Sequence, residues 1–208
     1  MKSEFTFFTK QAVVSFLGNH GREGTKDYEF AAALVICRLC EKRWDEDCWI
    51  GTRIKLEYQN TLPAYKAYNS EKAITLEGVA ELLKKGTNED SPVDFVVAKR
   101  ADMKKAEGMI FQVKRFGIGR DKKDTDALVS YINSLAKKYG KADANLLVCL
   151  DDHVSVDLTE FYKKFDTKNF PFNRLLFNWF STDEAFLQDV YPKGERETFK
   201  IGELFAVN

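Results

Sequence analysis

Three polar residues stand where chemistry could be done: Asp94, Gln112 and Lys114. Asp94 precedes the apolar run Phe95-Val96-Val97, and Gln112 and Lys114 interrupt a second run of Met109, Ile110, Phe111 and Val113. Short apolar runs of this kind read as neighbouring β-strands. Side chains alternate along a strand, which predicts Gln112 and Lys114 on one face and Phe111 and Val113 on the other. A carboxylate, an amide oxygen and an ammonium at the ends of adjacent strands could hold a divalent cation beside a phosphate.

The elements that must position these residues follow from periodicity. A short helix is predicted over 10–17, then a Gly-rich loop over 18–24 with His20 as an exposed loop residue. A helix over 25–42 carries Tyr28, Ala31, Ala32, Val35 and Leu39 as its core face, with Glu29 in its first turn. A strand is expected within 48–59, an irregular insertion over 60–70 and a short helix over 75–85. Beyond the second motif strand, the pattern predicts a helix over 125–139 stopped by Gly140. Its apolar face is Leu128, Val129, Ile132, Leu135 and Ala136. Asn145 to Leu150 reads as a buried strand. The last third is expected to alternate helix 158–165, strand 175–180 and helix 183–190, and to end in a polar tail. Mixed α and β elements around a central sheet are the predicted fold class.

The chain has 208 residues, enough for one substantial core, and no linker divides it. Thirty-two basic and 32 acidic residues cancel, so only local charge can argue for a polyanionic partner. No apolar run approaches the roughly 20 residues that cross a bilayer. The N-terminus also lacks the pattern of a signal peptide, so a cytoplasmic protein without a membrane partner is expected. Cys37, Cys40, Cys48 and Cys149 fit that compartment as free, buried thiols, because Cys-Arg-Leu-Cys has no second ligand pair at metal spacing.

Pro92-Val93-Asp94, Gln112-Val113-Lys114 followed by Arg115-Phe116, and Asp27-Tyr28-Glu29-Phe30 together resemble the PD-(D/E)xK nuclease superfamily. The pattern is similar to its Mrr-like restriction endonucleases, in which Gln replaces the second acidic residue. The resemblance covers about 25–152 and leaves 153–208 as a C-terminal extension. It departs from the family in an additional residue between Pro and Asp and in a longer stretch before Asp94. It implies a restriction-endonuclease-like core, with a central mixed sheet flanked by helices and additions at both ends. The implied activity is metal-dependent DNA cleavage in restriction of foreign DNA.

On that resemblance, Asp94, Gln112, Lys114 and Glu29 form the catalytic set. Asp94, Gln112, Glu29 and the Val113 carbonyl would ligate Mg²⁺ or Mn²⁺. Lys114 would position the attacking water and steady negative charge. Gln112 removes one negative charge from the site, so Glu29 has to compensate, and a catalytically inactive nucleic-acid-binding or protein-interaction module of the same fold is the alternative. From Lys99 to Lys123 there are nine basic residues against three acidic ones. Lys99, Arg100, Arg115, Arg120, Lys122 and Lys123 are therefore the expected DNA-backbone contacts. Double-strand cutting with one site per chain calls for a homodimer or for sequential nicking.

Overall fold

The computed structural model describes residues 5–8, 10, 13–14, 25–53, 94–99, 108–117, 119–139, 141–142 and 144–205. The expected insertion at 60–70, the helix at 75–85, His20, Pro92, Arg100, Lys104 and Lys105 lie outside the described residues. The chain divides into two compact units, Met1–Ile110 with Gly202–Asn208, and Phe111–Ile201. Both mix helix and strand, so the α/β class holds.

The first unit contains β1 (Phe5–Phe8), α1 (Thr25–Trp44), β2 (Cys48–Arg53) and β3 (Phe95–Lys99). The three strands pair antiparallel, with Phe7 opposite Gly51 and Ile50 opposite Val97. Lys10, Val13 and Val14 are helical, within the short helix predicted there. Helix α1 differs from the one-sided helix that its periodicity predicts. Ala32, Val35 and Leu39 are buried, but so are Ala33, Leu34, Ile36, Cys37 and Cys40. The run Ala-Ala-Ala-Leu-Val-Ile-Cys has no charged residue to offer solvent, so the core closes around the helix. Asp45 ends it at φ 53, donating its N–H to the Glu41 carbonyl at 2.8 Å. Aspartate is among the few side chains that tolerate this left-handed backbone.

Strand β4 (Gly108–Phe116) carries the chain into the second unit. There α2 (Thr125–Lys138) leads to β5 (Asn145–Leu150), and α3 (Leu158–Lys164) leads to β6 (Arg174–Phe180). The three strands are parallel, with Lys114 beside Val148 and Val148 beside Phe177. Parallel neighbours need crossover connections, which the two helices supply. All six residues of β5 are buried, Asn145 together with the apolar run 146–150 that predicts a buried strand. Asp124 caps α2 by accepting the Ala127 N–H at 2.8 Å, and Leu128, Val129, Ile132 and Leu135 are its buried face. Tyr139, in extended conformation, ends the helix by donating its N–H to Leu135. Asp157 caps α3, whose Phe161 meets Phe177 of β6 edge-on at 5.2 Å.

The C-terminal part departs most from the sequence expectations. Residues 183–190 were predicted helical, yet Glu184–Tyr191 is a strand, β7, paired antiparallel with β6. Its Ala185, Leu187 and Val190 are buried, while Phe186 is half-buried. The expected polar tail contains a further strand, β8 (Arg196–Lys200), paired with β7, and a short helix, α4 (Ile201–Leu204). Turn chemistry decides both hairpins. The Ser181 hydroxyl accepts the Glu184 N–H at 3.1 Å, and Pro192-Lys193-Gly194 makes the second turn. Only glycine fits at 194, because a Cβ there would lie 2.8 Å from the Asp189 Cβ. The pairing energy of β6 then outweighs the weak helical periodicity of Ala185, Phe186, Asp189 and Val190.

Candidate functional site

Two of the four expected catalytic residues belong to the first unit and two to the second. In the first, Glu29 is half-buried on α1 and Asp94 is half-buried one residue before β3. Lys99, at the end of β3, holds its ammonium 5.4 Å from the ring centroid of Trp44 at the end of α1. That geometry suits a cation–π contact and gives Lys99 a packing role within its own unit.

In the second unit, β4 sorts its side chains between two faces. Phe116 packs against Tyr131 of α2, with ring centroids 5.5 Å apart. Two residues earlier, the Lys114 ammonium lies 5.8 Å from the Tyr139 ring centroid. The strand period therefore places Gln112, Lys114 and Phe116 together on the α2 face. Gln112 and Lys114 stand two apart in an observed strand, the spacing at which side chains share a face. Gln112 is nonetheless only 3% exposed, less than an edge-strand polar residue would be. Its Nε2 donates to the Val113 carbonyl at 3.1 Å. Lys114 is half-buried and makes no ion pair among the described residues.

Arg115 points to the other face. Its Nε donates to Asp151 Oδ1 at 2.7 Å, so much of its charge is answered within the unit. Asp151 follows β5, and its Oδ2 is buried without a hydrogen-bond partner among the described residues. Gly117, at φ 131, makes room for it: a Cβ would meet both Asp151 Cβ and Oδ2 at 2.7 Å. The basic loop after β4 is partly folded back on aromatic rings. The Arg120 guanidinium lies 4.2 Å from the Tyr131 centroid and 4.9 Å from that of Phe116. Burial pushes the Tyr131 phenol up, and the Arg120 charge partly offsets this. Lys122 is exposed. Lys123 is half-buried, and its backbone carbonyl accepts the Ser155 N–H.

Tyr139 and the lysines beside it were not singled out by sequence reasoning, which stopped its charge count at Lys123. Lys138 also reaches the Tyr139 ring, at 5.4 Å. The available signal was the run Lys137-Lys138-Tyr139-Gly140-Lys141. The thiols are as predicted: all four cysteines are free and buried. A hydrogen bond to Cys48, then burial, then the nearby Glu41 carboxylate raise Cys37 well above the ordinary thiol range.

Comparison with protein-family models, with curated proteins and with solved structures finds no match to this chain. No group of three or more His, Cys, Asp or Glu side chains gathers as metal ligands among the described residues. Nor is any helix among them long and apolar enough to cross a membrane.

Proposed function

We propose that this chain is a Mg²⁺- or Mn²⁺-dependent DNA endonuclease with a restriction-endonuclease-like core. The observation that supports this reading best is on β4. Gln112 and Lys114 share one face there, and a capped helix and a buried parallel strand follow in the order the motif requires. Lys114 keeps its ammonium against an aromatic face and in no ion pair among the described residues, which leaves its charge available to an anionic oxygen.

The donor set suits a hard cation. On β4, Gln112 would offer an amide oxygen and Val113 a backbone carbonyl, and the resemblance adds the carboxylates of Glu29 and Asp94, all of the oxygen type that Mg²⁺ prefers. Bound there, the cation would lower the pKa of a water and neutralise charge on the phosphate. Lys114 would hold a non-bridging phosphate oxygen and steady the charge that develops on it. Plasmid cleavage with Mg²⁺ or Mn²⁺ tests this, with wild type run beside Asp94→Ala. Cleavage is expected from wild type and not from the variant. Equal cleavage by both would assign the activity to another site.

A second reading is a nucleic-acid-binding module of the same fold without catalysis. The Gln112–Val113 hydrogen bond favours it, since two expected ligands are joined to each other. DNA binding without cleavage under either metal would select this reading.

A further inference from the structure

We propose that the C-terminal end of α2 is a contact surface for the phosphate backbone of nucleic acid, built from Lys137 and Lys138 of its last turn and Lys141 just beyond it. The inference deepens the nucleic-acid reading above and adds three residues to it.

Lys137, Lys138 and Lys141 are exposed. Lys138 and Lys114 both bring their ammonium groups to the ring of Tyr139, at 5.4 and 5.8 Å. The ring is fixed in turn by Phe172, which meets it edge-on at 5.6 Å. Lysines in a last turn are explained in part by the helix dipole, which favours cations there. The dipole does not explain Lys114, which comes from β4 and converges on the same ring.

Some cations of the unit are held in ion pairs, whereas this cluster, like Arg120, Lys122 and Lys123, is in none among the described residues. Arg115 is paired with Asp151, Lys163 with Glu160, Lys164 with Asp126 and Arg174 with Asp189. Lys114, Lys137, Lys138 and Lys141 make no ion pair among the described residues. Lys114 and Lys138 meet at one ring, and Lys137 and Lys141 flank it in the sequence. None of the four has a carboxylate partner among the described residues. Such charges repel one another, and a polyanion relieves that repulsion. Ammonium groups on flexible stems contact phosphates as point charges without reading base sequence. The occupant that fits is therefore a nucleic-acid backbone, bound with a strong salt dependence.

The test is equilibrium binding of a fluorescein-labelled mixed-sequence duplex DNA to the full chain in EDTA, across a KCl series. Each phosphate contact contributes about 0.9 to the slope of log K against log salt. Replacing all three lysines by Gln (Lys137→Gln, Lys138→Gln, Lys141→Gln) should lower that slope by about 2 to 3. Lys141→Gln alone, beyond the end of the helix, should lower it by about 1. The matching triple Arg variant should keep the wild-type slope, which separates lost charge from a damaged helix. Unchanged slope and affinity in both Gln variants would overturn the proposal. So would wild type that binds no DNA, or wild type held instead by phosphatidylserine vesicles at salt concentrations where DNA is released. Wild type that binds with these slopes but never cuts plasmid would remove the nuclease reading and leave this surface standing.

Discussion

On β4, Gln112 donates a hydrogen bond to the carbonyl of its own neighbour, Val113, at 3.1 Å. One residue proposed to ligate a cation thus holds another in place. The amide satisfies a buried carbonyl that a carboxylate at the same position would repel. Gln112→Glu should therefore destabilise the chain in EDTA by about 1–3 kcal/mol. Mg²⁺ should restore part of that loss, because a cation that binds only the folded state stabilises it. Urea unfolding with EDTA and with Mg²⁺ makes the comparison. Equal losses in the two conditions would indicate that no cation sits beside residue 112.

Gly117 and Asp151 are coupled through space. At φ 131, alanine is strained at 117 whatever the room, and its Cβ would lie 2.7 Å from Asp151 Oδ2. Gly117→Ala should cost about 2 kcal/mol or more. A urea midpoint unchanged from wild type would contradict the tight approach at this turn.

Arg115 should act on stability before it acts on DNA. Its guanidinium is engaged with Asp151, and Arg115→Gln leaves that largely buried carboxylate without its cation. The expected cost is about 1 kcal/mol, with little change in the salt slope of DNA binding. A loss of slope with stability unchanged would mean that Arg115 leaves Asp151 to contact phosphate.

The Cys37 thiol gives a pH prediction. Its folded pKa is raised by the Cys48 hydrogen bond, by burial and by Glu41, so folding favours the protonated form. That contribution to stability is complete below the unfolded thiol value of about 8.5 and is lost as pH rises through the folded pKa. Wild type should therefore lose more stability than Cys37→Ala between about pH 8 and pH 10. Parallel losses in the two proteins would show that Cys37 does not contribute.

How legible the chain was depended on how local the decisive forces are. Helix α2 could be read because its apolar face lies within one segment. Strand β5 could be read because burial on both faces demands an unbroken apolar run. Strand β7 could not, since Ala185, Phe186 and Val190 fit a helical stripe, and only pairing with β6 makes the segment extended. Strand β8 alternates half-buried Glu197 and Phe199 with exposed Arg196, Thr198 and Lys200, a pattern too polar to read without its partner. At the site, strand alternation was enough to put Gln112 and Lys114 on one face. The Gln112–Val113 bond, the Arg115–Asp151 pair and the meeting of Lys114 and Lys138 at the Tyr139 ring arise from contacts that no spacing rule encodes.

Lys114 offers the most direct test of the nuclease reading. Single-turnover cleavage of a labelled duplex with saturating Mg²⁺ should be compared for wild type and Lys114→Ala, with binding measured separately in EDTA. The expected result is cleavage lost by about a hundredfold or more while binding falls only modestly. Equal cleavage rates in the two proteins would contradict the assignment of Lys114 to the reacting phosphate.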